Sequence, residues 1–521
     1  MSVISAYVRE DWYYSIESIK EMFLFNKESY STEEEVSRHL KSYIKELLSR
    51  NILKAEKKQQ PDEADIEFEN YDDSDLVANT KRYKFSFVGI AICQNRIIYV
   101  YPKYIGSATA LPTYEPQKEL TQVVRVIEKY SREKTKQDIR DINLFVDEDD
   151  NGKPNTLSVM LFLLEDYATN GPYETDEAII EINGSDNILW QKTIDDTYPI
   201  ITDNRPLYVE LYTQRNVCDD YDFIKRLHAY VVTSCSYEID AAGLSDFFSL
   251  PYAEISDDEI DSFGDTDYIL EKLDLALSET FDDRKIMVLK AMKLYFKSSK
   301  ILVGDTEIQL IGTRSFNLIW EEVCAKVFKS QKADKSRHPD VTEIEPNIDY
   351  SVINKEFAQK PPTLVELIKQ PIWKKYKKGS TGLPTATLKP DYLRFENTGQ
   401  RNHYIFYILD AKYYCPVWTD NKIEGQPGVE DVAKQYMYFI AYKDILKQLR
   451  EVQHQTVEVK NYFLMPQREN DPKVMGYVKF NVLKDLDVNI GLGVVEVRML
   501  SPTFMFNHYL NNTTANLADL Q

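Results

Sequence analysis

Apolar and polar residues along the chain follow two periods, which predict helices in some segments and strands in others. Residues 31–48 open with an N-cap signal and an acidic first turn, and then repeat apolar side chains at helical spacing. Residues 1–54 are therefore predicted to be helical. Between Lys81 and Tyr101, two apolar runs flank Gln94-Asn95, which predicts a β-hairpin.

Charged and polar segments divide the chain into three predicted domains. Acidic linkers are predicted at residues 55–75 and 147–154, and short strands are predicted at residues 179–194. The fold class is α/β, with α+β N-terminal regions and a C-terminal mixed sheet flanked by helices. The domains are an N-terminal one for partner or DNA recognition, a middle one and a catalytic one, at residues 1–135, 136–305 and 306–521.

The third domain has the most informative pattern. A helix is predicted at residues 317–328, with a buried stripe formed by Ile319, Trp320, Val323 and Val327. Residues 404–409 are apolar and aromatic throughout, which is typical of a strand buried on both faces. They form the second half of a predicted hairpin, and a helix and further strands follow from Pro427 onwards.

The buried strand runs directly into Asp410, Ala411 and Lys412. Residues 410 and 412 point to the same side of a strand, and Asp391 can join them from the other half of the hairpin. Two carboxylates and a lysine can hold a hard divalent cation and activate water against a phosphodiester. The alternative is a solvated Asp–Lys surface pair, which contributes little.

Other residues could complete such a site. Glu321 and Glu322 flank the helical stripe, so one of them can face the strands, or both are solvated. Gln435 lies in the helix after the strand. Lysines interleaved with aromatic residues before a Gly-Ser-Thr-Gly turn suit a phosphate backbone, or form a solvated loop; they are Lys374, Lys375, Lys377 and Lys378.

The charge of −21 is distributed unevenly. Residues 313–521 contain 28 basic and 25 acidic residues, so the acidity belongs to residues 1–312. That acidic part favours a protein partner over a phosphate backbone. Five cysteines without a C-x-x-C pair predict reduced thiols and a cytoplasmic location, and the sequence shows neither a signal peptide nor a membrane-spanning run.

Glu321, Pro390-Asp391, Asp410-x-Lys412 and the helix with Gln435 resemble the PD-(D/E)xK nuclease superfamily. The wider chain resembles the LlaJI family of restriction endonucleases, which is related to the McrC nuclease subunit. This resemblance covers about residues 85–440. It is carried by F-S-F-V-G-I, Y-A-T-N-G-P-Y, I-N-G-S-D-N-I-L-W-Q-K-T-I, I-W-E-E-V-C, L-K-P-D-Y-L and L-D-A-K-Y-Y.

The resemblance implies cleavage of double-stranded DNA that depends on Mg²⁺, with Mn²⁺ as the other candidate. Lys412 would orient or deprotonate the attacking water, and Gln435 would brace the site. The implied metal ligands are Asp391, Asp410, the Ala411 carbonyl and Glu321, with Glu322 as the substitute.

The resemblance also implies partners. Relatives commonly work with a separate McrB-like AAA+ GTPase, and this chain has no phosphate-binding loop of its own. A DNA methyltransferase would belong to the same restriction or phage-defence system. Two alternatives stay open, which are an inactive DNA-binding or adaptor subunit and a nuclease that acts alone as a sequence-specific homodimer.

Overall fold

A computed structural model of the protein describes residues 3–26, 30–56, 82–134, 155–174, 176–184, 187–218, 222–297, 308–329, 351, 355, 362–374, 381–382, 387–419, 422–451, 454–483 and 493–520. The chain forms two compact units. The first comprises Met1–Ile4, Ala91–Ile97 and Asp138–Ile311, and the second comprises Ser5–Ile90, Ile98–Gln137 and Gly312–Gln521. The division into three domains stays a prediction.

The N-terminal part combines short strands and helices. Its elements are β1 (Ile4–Arg9), β2 (Tyr13–Ser15), α1 (Ile16–Met22), α2 (Glu33–Ser49), β3 (Leu53–Ala55), β4 (Arg82–Phe85), β5 (Val88–Cys93), β6 (Arg96–Tyr101) and α3 (Gln117–Lys134). Strands β2, β4 and β3 form one antiparallel sheet in that order.

The prediction that residues 1–54 are helical is right for α1 and α2 and wrong where the chain forms strands β1, β2 and β3. Helix α2 begins after Thr32, whose side chain accepts a hydrogen bond from the Glu35 N–H. In β1, by contrast, Ala6 and Val8 are buried while the residues before each are not, which is the period of a strand. The predicted turn at Gln94-Asn95 joins β5 to β6 and is confirmed.

The first unit contains a helical core and a small sheet. Its elements are α4 (Thr156–Asn170), β7 (Asp176–Ile182), β8 (Asn187–Ile188), α5 (Trp190–Asp196), β9 (Ile200–Thr202), β10 (Arg205–Leu207), β11 (Tyr212–Cys218), α6 (Phe223–Ala241), α7 (Ser245–Phe248), α8 (Thr266–Glu279) and α9 (Asp283–Lys297). Strands β7, β11 and β8 pair antiparallel, and α4 packs against α6 and α9. The strands predicted at residues 179–194 are therefore only partly right, because α5 is a helix.

The C-terminal part contains the largest sheet. Its elements are β12 (Gln309–Thr313), α10 (Phe316–Val327), β13 (Trp373–Lys374), β14 (Thr381–Gly382), β15 (Tyr392–Asn397), β16 (His403–Ala411), β17 (Val417–Thr419), β18 (Lys422–Glu424), α11 (Val429–Ala441), α12 (Lys443–Glu451), β19 (Thr456–Pro466), β20 (Val474–Val478), β21 (Val495–Leu500) and α13 (Pro502–Leu510). Strands β1, β6, β5 and β12 form a four-stranded sheet in that order.

The largest sheet has the order β15-β16-β19-β21-β20 and is mixed. Strand β16 is antiparallel to β15 and parallel to β19, and β21 is parallel to β19. Phe406 and Ile408 of β16 share one core cluster with Val432, Tyr436 and other residues of α11 and α12. The fold is therefore mixed α/β, with mixed sheets flanked by helices.

Strand β16 has buried residues on both of its faces. Every residue from Tyr404 to Ala411 is buried, which confirms the strand predicted from the apolar run. The predicted stripe of α10 is also buried, and Trp320 at its centre is completely inaccessible. Of the helices within the described residues, none is long and apolar enough to cross a bilayer.

Candidate active site

Asp410 and Lys412 lie together at the carboxyl end of β16. Asp410 is 3% exposed, and its Oδ2 lies 3.0 Å from Lys412 Nζ. The two residues are two positions apart on an extended segment, so their side chains project to the same side. The predicted convergence of a carboxylate and an ammonium group is therefore present.

Asp391 joins this pair from the adjacent strand. It immediately precedes Tyr392, which pairs with Leu409 in the β15–β16 ladder, so the register places Asp391 beside Asp410. Oδ2 of Asp391 is buried and has no hydrogen-bond partner among the described residues. One carboxylate oxygen at the site is thus withdrawn from water without a donor to compensate it.

The two carboxyl groups influence each other strongly. Burial raises the pKa of Asp410 well above its usual range, and both hydrogen bonding to Asp391 and the charge of Asp391 raise it further. The ammonium group of Lys412 opposes these effects but does not reverse them. Two close carboxyl groups need either a proton or a cation between them, so this pair fits a hard divalent cation.

Lys412 has a second carboxylate partner that sequence reasoning missed. Oδ1 of Asp431, in the first turn of α11, lies 3.3 Å from Lys412 Nζ. Burial alone would lower the pKa of Lys412, but the charges of Asp410, Asp391 and Asp431 outweigh burial and raise that pKa. The acidic first turn of this helix is visible in the sequence, whereas its contact with Lys412 depends on tertiary structure.

Gln435 braces the strand that carries Asp410. Its side chain is completely buried, and its amide nitrogen donates to the Ile408 carbonyl at 3.1 Å and to Asn461 Oδ1 at 2.6 Å. The Ile408 carbonyl lies two residues before Asp410 on β16. Gln435 therefore fixes the backbone of the candidate site.

Tyr438, one helical turn after Gln435, holds the other half of the hairpin. Its hydroxyl donates to the Lys389 carbonyl at 3.3 Å, just before Pro390-Asp391. Burial raises the pKa of Tyr438 to about 12, and the charges of Asp410 and Asp391 contribute to this increase. Tyr438 is thus a buried neighbour of the carboxylate pair that was not among the predicted site residues.

Helix α10 fixes the strand end from another direction. The Leu464 carbonyl of β19 accepts hydrogen bonds from the Lys412 N–H at 2.8 Å and from the Trp320 indole N–H at 3.1 Å. The backbone of Lys412 is consequently bonded to β19 at the carbonyl that α10 also contacts through Trp320. The buried stripe of α10 therefore contributes to the placement of Lys412 as well as to the core.

Glu321 and Glu322 have different surroundings. Glu322 forms an ion pair with Lys326 at 3.4 Å. Burial raises the pKa of the Cys324 thiol well above its usual range, and the charges of Asp391 and Glu321 add to this effect. Glu321 is thus the glutamate of this pair that shares a neighbour with Asp391.

The predicted metal ligands do not form a complete cluster. Across the part of the chain that the structure describes, no three His, Cys, Asp or Glu side chains approach closely enough to hold a metal ion by themselves. The structure brings Asp391 and Asp410 together and places Ala411 next to Asp410, while Glu321 is not part of a three-residue group. The metal-binding roles of all four residues stay predictions.

The lysines predicted to contact DNA lie mostly outside the part of the chain that the structure describes. Lys375, Lys377 and Lys378 lie outside the described residues, and Lys374 belongs to the two-residue strand β13, which pairs with β14. A role for these lysines in binding DNA stays a prediction.

The chain has matches among solved structures and among named proteins. Among solved structures, it matches a chain of the half-complex from the tetradecameric assembly of Thermococcus gammatolerans McrB AAA+ hexamers with bound McrC. The identity is 13%, the TM-score is 0.34, and the match covers 98% of this chain and 99% of the other. A chain of the Thermococcus gammatolerans McrBC complex matches with 12% identity and a TM-score of 0.21, over 56% of this chain and 79% of the other.

A similar protein of known name comes from Bacillus subtilis (strain 168). It is the type II restriction enzyme BsuMI component YdjA, which is 26% identical over 445 residues, or 84% of this chain and 83% of the relative. The sequence pattern of the LlaJI restriction endonucleases matches residues 87–350 and 350–496. This match covers well over half of the chain, and the protein therefore belongs to the LlaJI restriction endonuclease family.

Proposed function

We propose that the protein is a Mg²⁺-dependent endonuclease that hydrolyses phosphodiester bonds in double-stranded DNA as part of a bacterial restriction system. The observation that carries the proposal is the group formed by Asp391, Asp410 and Lys412 at the end of a buried strand. Withdrawing two carboxylates and an ammonium group from water is costly, and such groups are commonly kept for chemistry. Membership of a restriction endonuclease family supports the same conclusion.

Asp391 and Asp410 would hold the cation, and their present arrangement suits that role. The buried Oδ2 of Asp391 lacks a donor, and the raised pKa of Asp410 shows that its ionised form is not fully stabilised by its neighbours. The Ala411 carbonyl and Glu321 are the proposed additional ligands. When bound, a divalent cation makes water more acidic and offsets charge on the phosphate. Mn²⁺ would suit the same oxygen ligands.

Lys412 would supply fixed positive charge beside the scissile phosphate. Its ammonium group is held by two carboxylates and its backbone by β19, so its position is constrained at both ends. A cation placed in advance where negative charge develops lowers the barrier because no reorganisation is needed during the reaction. An ammonium group in this position would also orient the attacking water through a hydrogen bond.

The order of elements around the site supports a PD-(D/E)xK core. Helix α10 precedes the β15–β16 hairpin, α11 follows it, and β19 lies parallel to β16. Asp410 and Ala411 lie in β16, Asp391 lies just before β15, Glu321 lies in α10, and Gln435 lies in α11. A nuclease core of that class is part of the proposal.

The proposed setting is a multi-protein system in the cytoplasm. The Bacillus subtilis relative is named as a component of a restriction enzyme, which suggests that this chain also works with other polypeptides. A McrB-like AAA+ GTPase is the proposed motor, and a DNA methyltransferase would protect the host sequence. The acidic residues 1–312 are the proposed docking region for the motor.

The test is cleavage of plasmid DNA with Mg²⁺, comparing the wild type with Asp410→Asn and Lys412→Met. Asp410→Asn preserves size while removing one ligand charge, and Lys412→Met removes the ammonium group. Both variants are expected to lose at least about a hundredfold in rate. The reactions are run with and without any McrB-like GTPase that a neighbouring gene encodes, and with and without GTP.

The matched controls are Glu451→Gln and Lys447→Met, which remove the same charges from an exposed ion pair on α12. They should cut DNA at the wild-type rate. Cleavage that survives Asp410→Asn would refute the proposed site. If the wild type fails to cut under every condition, the alternative of an inactive DNA-binding or adaptor subunit becomes preferable. Cutting without a GTPase would favour an enzyme that acts alone.

A further inference from the structure

We propose that Asp431 is a positioning residue that holds the Lys412 ammonium group at the candidate active site. This inference rests on the proposed nuclease function and deepens it. Lys412 Nζ lies between two carboxylates, 3.0 Å from Asp410 Oδ2 and 3.3 Å from Asp431 Oδ1. The first belongs to the strand that carries Lys412, and the second belongs to helix α11.

This pairing differs from the ordinary ion pairs of the surface. The side chains of Lys412, Asp410 and Asp431 are 18%, 5% and 20% exposed, whereas those of Lys447 and Glu451 are 68% and 65% exposed. Water screens the latter pair and leaves it with little net effect. Around Lys412 there is much less water, so each carboxylate restrains the ammonium group more strongly.

The position of Asp431 is fixed by contacts that do not involve its own side chain. Asp431, Gln435 and Tyr438 are spaced at i, i+4 and i+7, so they lie on one face of α11. Gln435 bonds to the Ile408 carbonyl of β16, and Tyr438 bonds to the Lys389 carbonyl before Asp391. These two bonds hold α11 in register with the hairpin, which brings Asp431 to Lys412.

The need for a second carboxylate follows from the double use of Asp410. In the proposed function Asp410 is a cation ligand, so its negative charge is shared and attracts Lys412 less. A divalent cation nearby would also repel the ammonium group. Asp431 is not among the proposed ligands, and its negative charge in the first turn of α11 is favoured by the helix dipole. It therefore remains available to hold Lys412.

The kinetic test compares the wild type with Asp431→Asn, Asp431→Glu and Glu430→Gln on a duplex substrate. Asp431→Asn should lower kcat about 10- to 100-fold and change KM less than about twofold, because Lys412 is misplaced while DNA binding is retained. Asp431→Glu should recover most of the lost rate. Glu430 is exposed in the same helical turn, so Glu430→Gln is the matched control and should be unaffected.

A second test measures stability without any divalent cation. Asp431→Asn should lower Tm by about 1–3 °C in the wild-type background, and by clearly less in the Lys412→Met background, because its partner is already absent. Equal losses in both backgrounds would mean that Asp431 supports only its helix, and would overturn the inference.

The combined outcomes separate this inference from the proposed function. If Asp410→Asn abolishes cleavage while Asp431→Asn cleaves normally, only the role of Asp431 is refuted. If Asp410→Asn cleaves normally, or the wild type never cleaves, both fail together. Loss of kcat in Asp431→Asn without rescue by Asp431→Glu, together with additive Tm losses, would also refute the positioning role.

Discussion

Tyr413, which directly follows Lys412, donates its hydroxyl to the Glu10 carboxylate at 2.5 Å across 403 positions of sequence. The Lys103 N–H also approaches Glu10 Oε2 at 3.3 Å, and Lys103 Nζ lies 4.4 Å from the centroid of the Tyr413 ring. All three residues belong to the second compact unit. The end of the candidate catalytic strand is thus secured by Glu10 and Lys103, which lie near the start of the sequence.

Tyr413→Phe is expected to destabilise the protein by about 1–3 kcal/mol, because it leaves a largely buried carboxylate without its hydroxyl donor. The ring and its contact with Lys103 are retained, so the change isolates the hydroxyl group. Chemical denaturation measures the loss, and Tyr477→Phe at an exposed position is the control. A Tyr413→Phe protein as stable as the wild type would show that this hydrogen bond contributes little.

The pKa of Glu10 leads to a prediction of how the stability of the protein depends on pH. Burial raises the pKa of Glu10 from its ordinary 4.5 to about 7, although the charge of Lys103 and the Tyr413 hydroxyl partly oppose this shift. Between these two values the folded form holds a proton that the unfolded form has lost. The free energy of unfolding should therefore fall as pH rises from 4.5 to about 7. Above pH 7 the contribution of Glu10 should be constant.

The measurement is the difference in Tm between Glu10→Gln and the wild type from pH 4 to 9. Glu10→Gln does not titrate, so the difference should grow between pH 4.5 and 7 and then level off, corresponding to at most about 3 kcal/mol. Asp410 titrates in both proteins, so its effect on Tm cancels in the difference between them. A difference that does not change with pH would contradict a raised pKa for Glu10.

Local sequence patterns were sufficient for the elements around the site. The apolar run at residues 404–409 identified β16, and the spacing of buried residues identified α10, because both elements are buried on the faces that their patterns indicate. The short strands β1 and β2 were missed, since a few residues carry too little periodicity. Helix α5 was missed because it has only seven residues and buries only Thr193, so its sequence carries no sustained apolar stripe.

The sequence predicted only those residues of the candidate site whose positions follow from strand geometry. The side chains of Asp410 and Lys412 share one side because they lie on one strand, and Asp391 follows from hairpin pairing. Asp431 and Glu10 could not be found in this way. An acidic first turn has the same appearance whether it faces solvent or a lysine, and no local pattern links residue 10 to residue 413.

Gly312 in β12 allows close approach to β5. A Cβ added at Gly312 would lie 2.2 Å from the Val88 carbonyl oxygen and 2.9 Å from Gly89 Cα, both of which are backbone atoms that cannot rotate away. Gly312→Ala should therefore destabilise the protein by about 2–3 kcal/mol in denaturant unfolding.

Gly428 provides the matched control for this substitution. It precedes α11 at φ −67°, and nothing lies within 4 Å of a Cβ added there. Gly428→Ala should change stability by less than about 1 kcal/mol. If Gly312→Ala and Gly428→Ala lowered stability equally, the close approach of β12 to β5 would not be the cause of the loss at Gly312.

Gln435→Leu tests whether the buried amide of α11 supports the strand of the candidate site. The substitution leaves the Ile408 carbonyl and Asn461 Oδ1 without the donor that they share, at an expected cost of about 2–4 kcal/mol in denaturant unfolding. Gln435→Glu should lower stability more than Gln435→Leu does, because a buried carboxylate would face two hydrogen-bond acceptors. Lys434→Gln changes the exposed neighbouring residue and should be neutral. Wild-type stability of Gln435→Leu would contradict the bracing role, and the contribution of α11 to the site would then rest on Asp431 and Tyr438.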